Sequence, residues 1–311
     1  MISLFNINQY SIDTSALGNF LHGGIVSEFE QRFAEYVGAK YACSANSASS
    51  LIYLATKSCD GLISIPSCIP PVVPNALEMA GARYMFHDDI EWVGKAYSLF
   101  EDDNRTIIDS AQEVTKNQFK DLGKPNAEMI FSFYPTKPVG GCDGGMVVSD
   151  NKETIDLYKA LTLNGMSYSE NNWERKQIFS GHKMHFNSIS AYIANENLSR
   201  LDEKNDRLDE ISDMYNKAFY TTNSSRHLYR IRVHNNKDFI SKMKDEGILC
   251  GIHYEHCHDK SFYNPEIKYD LQKSARESIT TVSLPYHENM TKQQVNKVIK
   301  YGIRFNKSEY I

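Results

Sequence analysis

The chain has 311 residues, a formal net charge of −5 and an ordinary composition, so it has room for one large domain and a smaller one. It has no basic run that would bind nucleic acid and no stretch near the roughly twenty apolar residues of a membrane span. The N-terminus lacks a secretory signal, and the six cysteines include no Cys-x-x-Cys pair. We therefore expect a cytoplasmic protein with reduced thiols that binds neither nucleic acid nor membranes.

Short apolar strands alternate with helical segments through the first half of the chain. The pattern predicts helices over 27–36, 51–55 and 72–79, and strands that start at Tyr41 and cover 62–66, 84–86, 106–108 and 130–133. This alternation is typical of a largely parallel sheet with helices on both faces. The fold class is therefore α/β.

The second half of the chain has a different pattern. Segment 189–220 is mostly helical and connects to strand 228–233, helix 237–246, strand 281–285 and a last helix from Thr291. This order predicts a smaller α+β domain. We place the large domain at 1–203 and the small domain at 204–311.

Segment 131–146 holds a single lysine, Lys137, between an apolar aromatic run and a loop with four glycines. Such a lysine is either a solvated surface charge or a buried amine with a chemical role. The segment alone favours the surface charge.

Two further segments have polar groups where ligands bind to α/β folds. Asn46, Ser47, Ala48 and Ser49 lead directly into the helix over 51–55, so they form either an ordinary serine cap or a phosphate-binding helix N-terminus. Asp109 follows strand 106–108 and could cap the next helix or pair with a buried cation.

Four potential metal ligands lie close together in the small domain: His253, His256, Cys257 and His258. Their spacing does not match that of usual zinc sites. We therefore predict no metal.

Taken together, these segments resemble the DegT/DnrJ/StrS family of sugar aminotransferases. The resemblance covers nearly the whole chain, and its most specific feature is the five-residue step from Ser132 to Lys137. The other matching segments are Gly23–Glu30, Asn46–Leu51, Pro66-Ser67, Asp109–Gln112, Gly144–Val147, His253-Tyr254 with His258, and Ser283–Pro285.

The resemblance implies a fold-type I enzyme that uses pyridoxal 5′-phosphate (PLP). Lys137 is then the lysine that bonds to the cofactor, and Asp109 is the partner of its ring nitrogen. The other positions carried over for the cofactor are Gln112 beside the ring, Pro70 over the ring, and Asn46, Ser47, Ala48, Ser49 and Ser132 at the phosphate. Positions expected to face the substrate are His22, Tyr134, His253, Tyr254 and His258.

The resemblance also implies partners and a reaction. We expect a homodimer with shared active sites in which Lys183 comes from the partner subunit. The reaction that the resemblance implies converts a nucleotide-linked keto sugar to an amino sugar, with the amino acid glutamate as donor.

Two departures keep alternatives open. Pro70 stands where the family has an aromatic residue, and Lys183-Met184-His185 stands where it commonly has Asn-Tyr-Arg. One alternative is a catalytically altered or inactive protein of the same fold with a regulatory or scaffolding role. The other is a related sugar dehydratase, but that branch has histidine in place of the lysine, and Lys137 argues against it.

Overall fold

The computed structural model describes residues 1–21, 23–124, 126–167 and 176–307. Within these residues the strands are β1 (Tyr41–Ala45), β2 (Ile63–Pro66), β3 (Tyr84–His87), β4 (Tyr97–Glu101), β5 (Thr106–Asp109), β6 (Ala127–Ser132), β7 (Gly145–Ser149), β8 (Tyr229–Arg232) and β9 (Thr281–Leu284). The helices are α1 (Gly24–Val37), α2 (Ala48–Thr56), α3 (Val72–Ala80), α4 (Gln118–Leu122), α5 (Lys152–Thr162), α6 (Ser188–Ser199), α7 (Leu201–Phe219), α8 (Asn236–Asp245), α9 (Gln272–Thr280) and α10 (Lys292–Lys307). The sequence pattern predicts none of β4, α4, α5 and α9.

The central sheet has five strands in the order β1-β7-β6-β5-β4. β5 and β6 are parallel, whereas β7 is antiparallel to both β1 and β6, and β4 is antiparallel to β5. A separate parallel pair, β2 and β3, lies beside β4. The sheet is therefore mixed, with three of its five strands, β1, β5 and β6, running in one direction.

The antiparallel β4 corrects the expectation of a largely parallel sheet at this edge. β4 and β5 are joined by a tight turn at 102–105, in which the Asp102 carboxylate accepts the backbone N–H groups of Asn104 and Arg105 at 2.8 Å each. A parallel connection needs a crossover of a dozen or more residues, and four residues can only form a hairpin.

Helices cover both faces of the central sheet. On β6, Ile130 packs towards α2, α3 and α5, whereas Met129 and Phe131 pack towards α1 and α6. The β7 residues alternate in the same way, because successive side chains of a strand point to opposite faces. The strand ends that carry Asp109 and Ser132 are thus held between two packed layers.

A third hydrophobic core belongs to the C-terminal part of the chain. It joins the second half of α7 to α8, α10 and the antiparallel pair β8–β9, with Ile2 added from the N-terminus. This arrangement is compatible with a small α+β domain, and the boundary between residues 203 and 204, which lies inside α7, stays a prediction. In the part of the chain that the structure describes, no helix is both long enough and apolar enough to cross a bilayer.

Candidate active site

Lys137 lies in the loop between β6 and β7, which backbone hydrogen bonds hold in shape. Its N–H donates to the carbonyl of Tyr134 at 2.9 Å, and the N–H of Gly141 donates to the carbonyl of Phe133 at 2.8 Å. Phe133 in turn donates to Gly144 at 2.9 Å, which closes the loop at its base. The lysine is therefore fixed just beyond the carboxyl end of β6.

The amine of Lys137 is buried against the small domain. Its Nζ lies 3.5 Å from Nε2 of His227. Burial lowers the pKa of Lys137 to about 8, although the nearby Asp109 carboxylate acts to raise it. The amine thus has the lowered pKa that suits a nucleophile and proton carrier near neutral pH.

Asp109 ends β5, next to β6 in the sheet, and is 4% exposed. Its carboxylate accepts the N–H of Ala111 at 2.9 Å and the hydroxyl of Tyr97, on β4, at 2.8 Å. Burial raises the pKa of Asp109, whereas both hydrogen bonds and the nearby Lys137 lower it. A carboxylate oxygen accepts more than one hydrogen bond, so Asp109 can still bind a further N–H donor.

Strand register brings Ser132 and the start of α2 to the same sheet edge. Gly145 on β7 pairs with Ser132 on one side and with Ala45 on the other. Ser47 caps α2, with its Oγ accepting the N–H of Ser50 at 3.1 Å. The N-terminus of α2 therefore lies near Ser132, and a helix N-terminus attracts anions.

Gly145 allows α2 to approach the sheet this closely. A Cβ at this position would lie 2.5 Å from the backbone nitrogen and 2.6 Å from the Cα of Ala48. Any larger residue would push the N-terminus of α2 away from Ser132.

The structure places the other residues predicted at the cofactor as follows. The buried Gln112 accepts the N–H of Gly94 at 2.9 Å, and Asn46 donates its N–H to the carbonyl of Met184 at 2.7 Å. Pro70 is half-buried just before α3. Lys183 is exposed.

Of the residues predicted to face the substrate, His253 and Tyr254 lie at the site. Burial and the charge of Lys137 lower the pKa of His253 to about 4. Burial raises the pKa of Tyr254, and the Asp109 carboxylate adds to that rise. Tyr134 is 54% exposed, and His22 lies outside the described residues.

Each of three histidines between residues 253 and 258 contacts a different serine hydroxyl. His253, His256 and His258 each place Nδ1 within hydrogen-bond distance of a serine hydroxyl, at 2.9, 2.7 and 2.7 Å. The serines are Ser283, Ser278 and Ser67. Among the described residues, no group of three or more histidine, cysteine, aspartate or glutamate side chains is placed to hold a metal ion.

Pro70 provides no aromatic ring, but Tyr97, which donates its hydroxyl to Asp109, belongs to a group of three packed aromatic side chains. Tyr97 packs edge-on against Trp92 with ring centroids 4.7 Å apart. Trp92 stacks on Tyr254 at 6.3 Å, and its buried Nε1 has no hydrogen-bond partner in the described part of the chain. The apolar surroundings of the carboxylate thus come from β4, the segment before it and a small-domain loop.

Three residues near the site have no signal in the sequence: Tyr97, Trp92 and His227. Tyr97 and Trp92 lie in a segment without a clear period, and the nearby turn at 102–105 has only a weak hairpin pattern. His227 lies two residues before the start of β8, and nothing in its local sequence distinguishes it from a core histidine.

Comparison with known proteins places this geometry in a family. The model of the DegT/DnrJ/EryC1/StrS aminotransferase family matches residues 6–62 and 105–301. The unmatched stretch, 63–104, contains Pro70, Trp92 and β4.

The chain is also similar to individual proteins. It is 28% identical to the UDP-4-amino-4,6-dideoxy-N-acetyl-beta-L-altrosamine transaminase of Campylobacter jejuni, over 92% of each chain. Its fold matches the aminotransferase TlmJ from Streptoalloteichus hindustanus with a TM-score of 0.82 and 19% identity, over 100% of both chains. It also matches Spr1654 from Streptococcus pneumoniae in its PLP form, with a TM-score of 0.78 and 16% identity over 99% of each chain.

These matches confirm the predicted α/β fold class and the resemblance on which the prediction of a sugar aminotransferase rests. The chain belongs to the DegT/DnrJ/EryC1/StrS aminotransferase family.

Proposed function

We propose that this protein is a PLP-dependent aminotransferase that converts a nucleotide-linked keto sugar to an amino sugar, with glutamate as the amino donor. The observation that carries the proposal is the position of two groups beyond adjacent parallel strands, β5 and β6: a buried carboxylate, Asp109, and an amine of lowered pKa, Lys137, on which that carboxylate acts. The similarity to a UDP-sugar transaminase supports a nucleotide-linked substrate.

The polar groups at the site fit the three reactive or charged parts of PLP. Lys137 offers an amine for its aldehyde, and Asp109 offers a carboxylate for its ring nitrogen. The N-terminus of α2, with Ser47 and Ser49, and the hydroxyl of Ser132 offer donors for its phosphate. When bound, PLP supplies an electrophilic carbonyl and a ring that accepts electrons.

The side chains of the chain then have separate roles. Lys137 Nζ takes a proton from the α-carbon of the donor and later delivers a proton to the product. Asp109 keeps a proton on the ring nitrogen, because its charge favours the protonated form. Burial and the charge of Lys137 hold the pKa of His227 well below its ordinary value, so that this imidazole stays neutral beside the amine.

A panel of UDP-linked sugars with a ketone at C3 or C4 tests the proposal. With PLP bound and glutamate present, the protein should form an amino sugar from at least one of them, detected by mass spectrometry. The variant Lys183→Ala should form this product more slowly. If loaded wild-type protein aminates none of them, a regulatory or scaffolding role is favoured.

We also propose a homodimer in which Lys183 reaches the active site of the partner. The exposure of Lys183 supports this role, because the side chain is free to contact a second chain. Light scattering should give twice the mass of the chain, and a monomer at assay concentrations would contradict the arrangement.

A further inference from the structure

A small cavity is lined by Thr136 and Pro138, the two chain neighbours of Lys137. Its volume is about 20 Å³, enough for a water molecule or a small polar group but not for a sugar ring. His227, whose Nε2 lies 3.5 Å from Lys137 Nζ, lines the same cavity. His227 therefore connects the cavity to the amine that we propose to react.

Lys204 of α7 also lines this cavity, as does Glu288. The Nζ of Lys204 donates to the carbonyl of Pro138 at 3.0 Å, and within the described ranges no carboxylate forms an ion pair with it. Arg226, another residue of the lining, differs in this respect, because it pairs with Asp209 at 2.6 Å.

Burial lowers the pKa of Lys204, and the charge of Glu288 acts against that decrease. An amine buried in this way without a carboxylate in ion-pair contact is unfavourable for the folded state. A residue that costs stability in this position points to a role in binding.

His287 adds an unused polar group to the cavity. It is 9% exposed, and neither of its ring nitrogens has a hydrogen-bond partner of good geometry among the described residues, although the backbone of Ser3 acts on its pKa. Burial lowers the pKa of His287, so its imidazole is neutral at pH 7 and can donate one N–H.

Two other charged side chains face the cavity. Arg226 forms an ion pair with Asp209, and the negative charge of the half-buried Glu288 would repel an anion. Among the described residues of the lining, one cation without an ion pair, Lys204, lies with neutral N–H donors, and this set suits a group with a single negative charge better than a phosphate.

We propose that this cavity binds the carboxylate of the amino donor, with Lys204 as its cationic partner and His287 as a neutral donor. The proposal rests on the proposed function, since only an aminotransferase has such a donor. It places the carboxylate beside His227, whose Nε2 lies 3.5 Å from Lys137 Nζ.

Binding of glutarate tests this site. Glutarate carries the carboxylates of glutamate without the amino group, so its affinity, measured by calorimetry, does not depend on turnover. The variant Lys204→Met should bind glutarate at least about tenfold more weakly, the effect of losing one charged hydrogen bond. Lys217→Met, which removes an exposed lysine of the same helix, is the matched control and should bind as the wild type does.

Two further measurements separate binding from folding. Glu288→Gln should bind glutarate more tightly, because it removes a negative charge from the cavity, and this variant keeps the test valid if Lys204→Met does not fold. Lys204→Met should have a melting temperature equal to or above that of the wild type, whereas a structural lysine would lower it on removal.

The inference is overturned if the wild type does not bind glutarate, or if Lys204→Met and Glu288→Gln leave glutarate affinity unchanged. It is also overturned if inorganic phosphate or UDP, rather than glutarate, is the ligand whose affinity depends on Lys204. A protein that binds glutarate through Lys204 but aminates no keto sugar contradicts the proposed function and leaves the anion site standing.

Discussion

Replacing Lys137 by alanine should abolish transamination. Proton transfer by a positioned side chain contributes about a hundredfold to ten-thousandfold to a rate, and Lys137→Ala also removes the amine that bonds to the cofactor. We therefore expect a decrease of at least about ten-thousandfold in kcat, measured with glutamate and a keto sugar substrate.

The variant should still fold, because it replaces a buried amine of unfavourable solvation with a small apolar side chain. Circular dichroism and the melting temperature check this. Lys116→Ala, at an exposed lysine beyond β5, should keep wild-type activity. Appreciable turnover by folded Lys137→Ala would show that another group performs the chemistry.

The second large effect is expected at Asp109. Asp109→Asn keeps the shape of the side chain but removes the charge that would hold a proton on the ring nitrogen. A hydrogen bond to a charged group contributes about 1.5–3 kcal/mol, so we expect a loss of roughly tenfold to a hundredfold in activity. Asp103→Asn, at an exposed carboxylate in the β4–β5 turn, should have no effect.

Asp109→Asn should also change the titration of Lys137 in the cofactor-free protein. The Asp109 carboxylate raises the pKa of Lys137, while burial lowers it to about 8. Without that carboxylate the pKa should fall below about 8, so that the amine becomes neutral at a lower pH. Labelling of Lys137 by an amine reagent, followed against pH by peptide mass spectrometry, measures this midpoint. A midpoint that stays unchanged or moves to higher pH would contradict the placement of these groups.

The residues that the sequence predicted best are those in local patterns. Asp109 and Lys137 each follow an apolar strand, and the glycine-rich loop after Lys137 indicates a tight connection at the sheet edge. Ser47 precedes a helix, and the structure gives it the cap that this position predicts. The roles of these residues towards a cofactor stay proposals, but their places in the fold follow from short-range physics.

The residues that the sequence missed reach the site from distant segments. His227 comes from the segment before β8 and Lys204 from α7, and they meet the loop of Lys137 only through packing between the two parts of the chain. Tyr97 depends on β4, whose antiparallel pairing follows from a four-residue turn. Local periodicity does not encode such contacts, so only the folded chain brings them together.

Pro70 shows what a family motif does not predict about the residues around the site. The resemblance marked this position as a departure, and the structure places Trp92, Tyr97 and Tyr254 around Asp109. These residues come from stretches that the family model does not match, or from the small domain. A motif-based prediction identifies the missing aromatic residue but not the side chains that enclose the carboxylate instead.

Our proposal makes Lys137 the amine that holds the cofactor, and covalent attachment of PLP to this residue can be measured. Purified protein is incubated with PLP, reduced with borohydride, digested and analysed by peptide mass spectrometry, which locates any lysine to which the cofactor has become covalently attached. We predict attachment on the peptide that contains Lys137. Attachment only at other lysines, such as Lys183 or Lys204, or no attachment at all, would contradict the account.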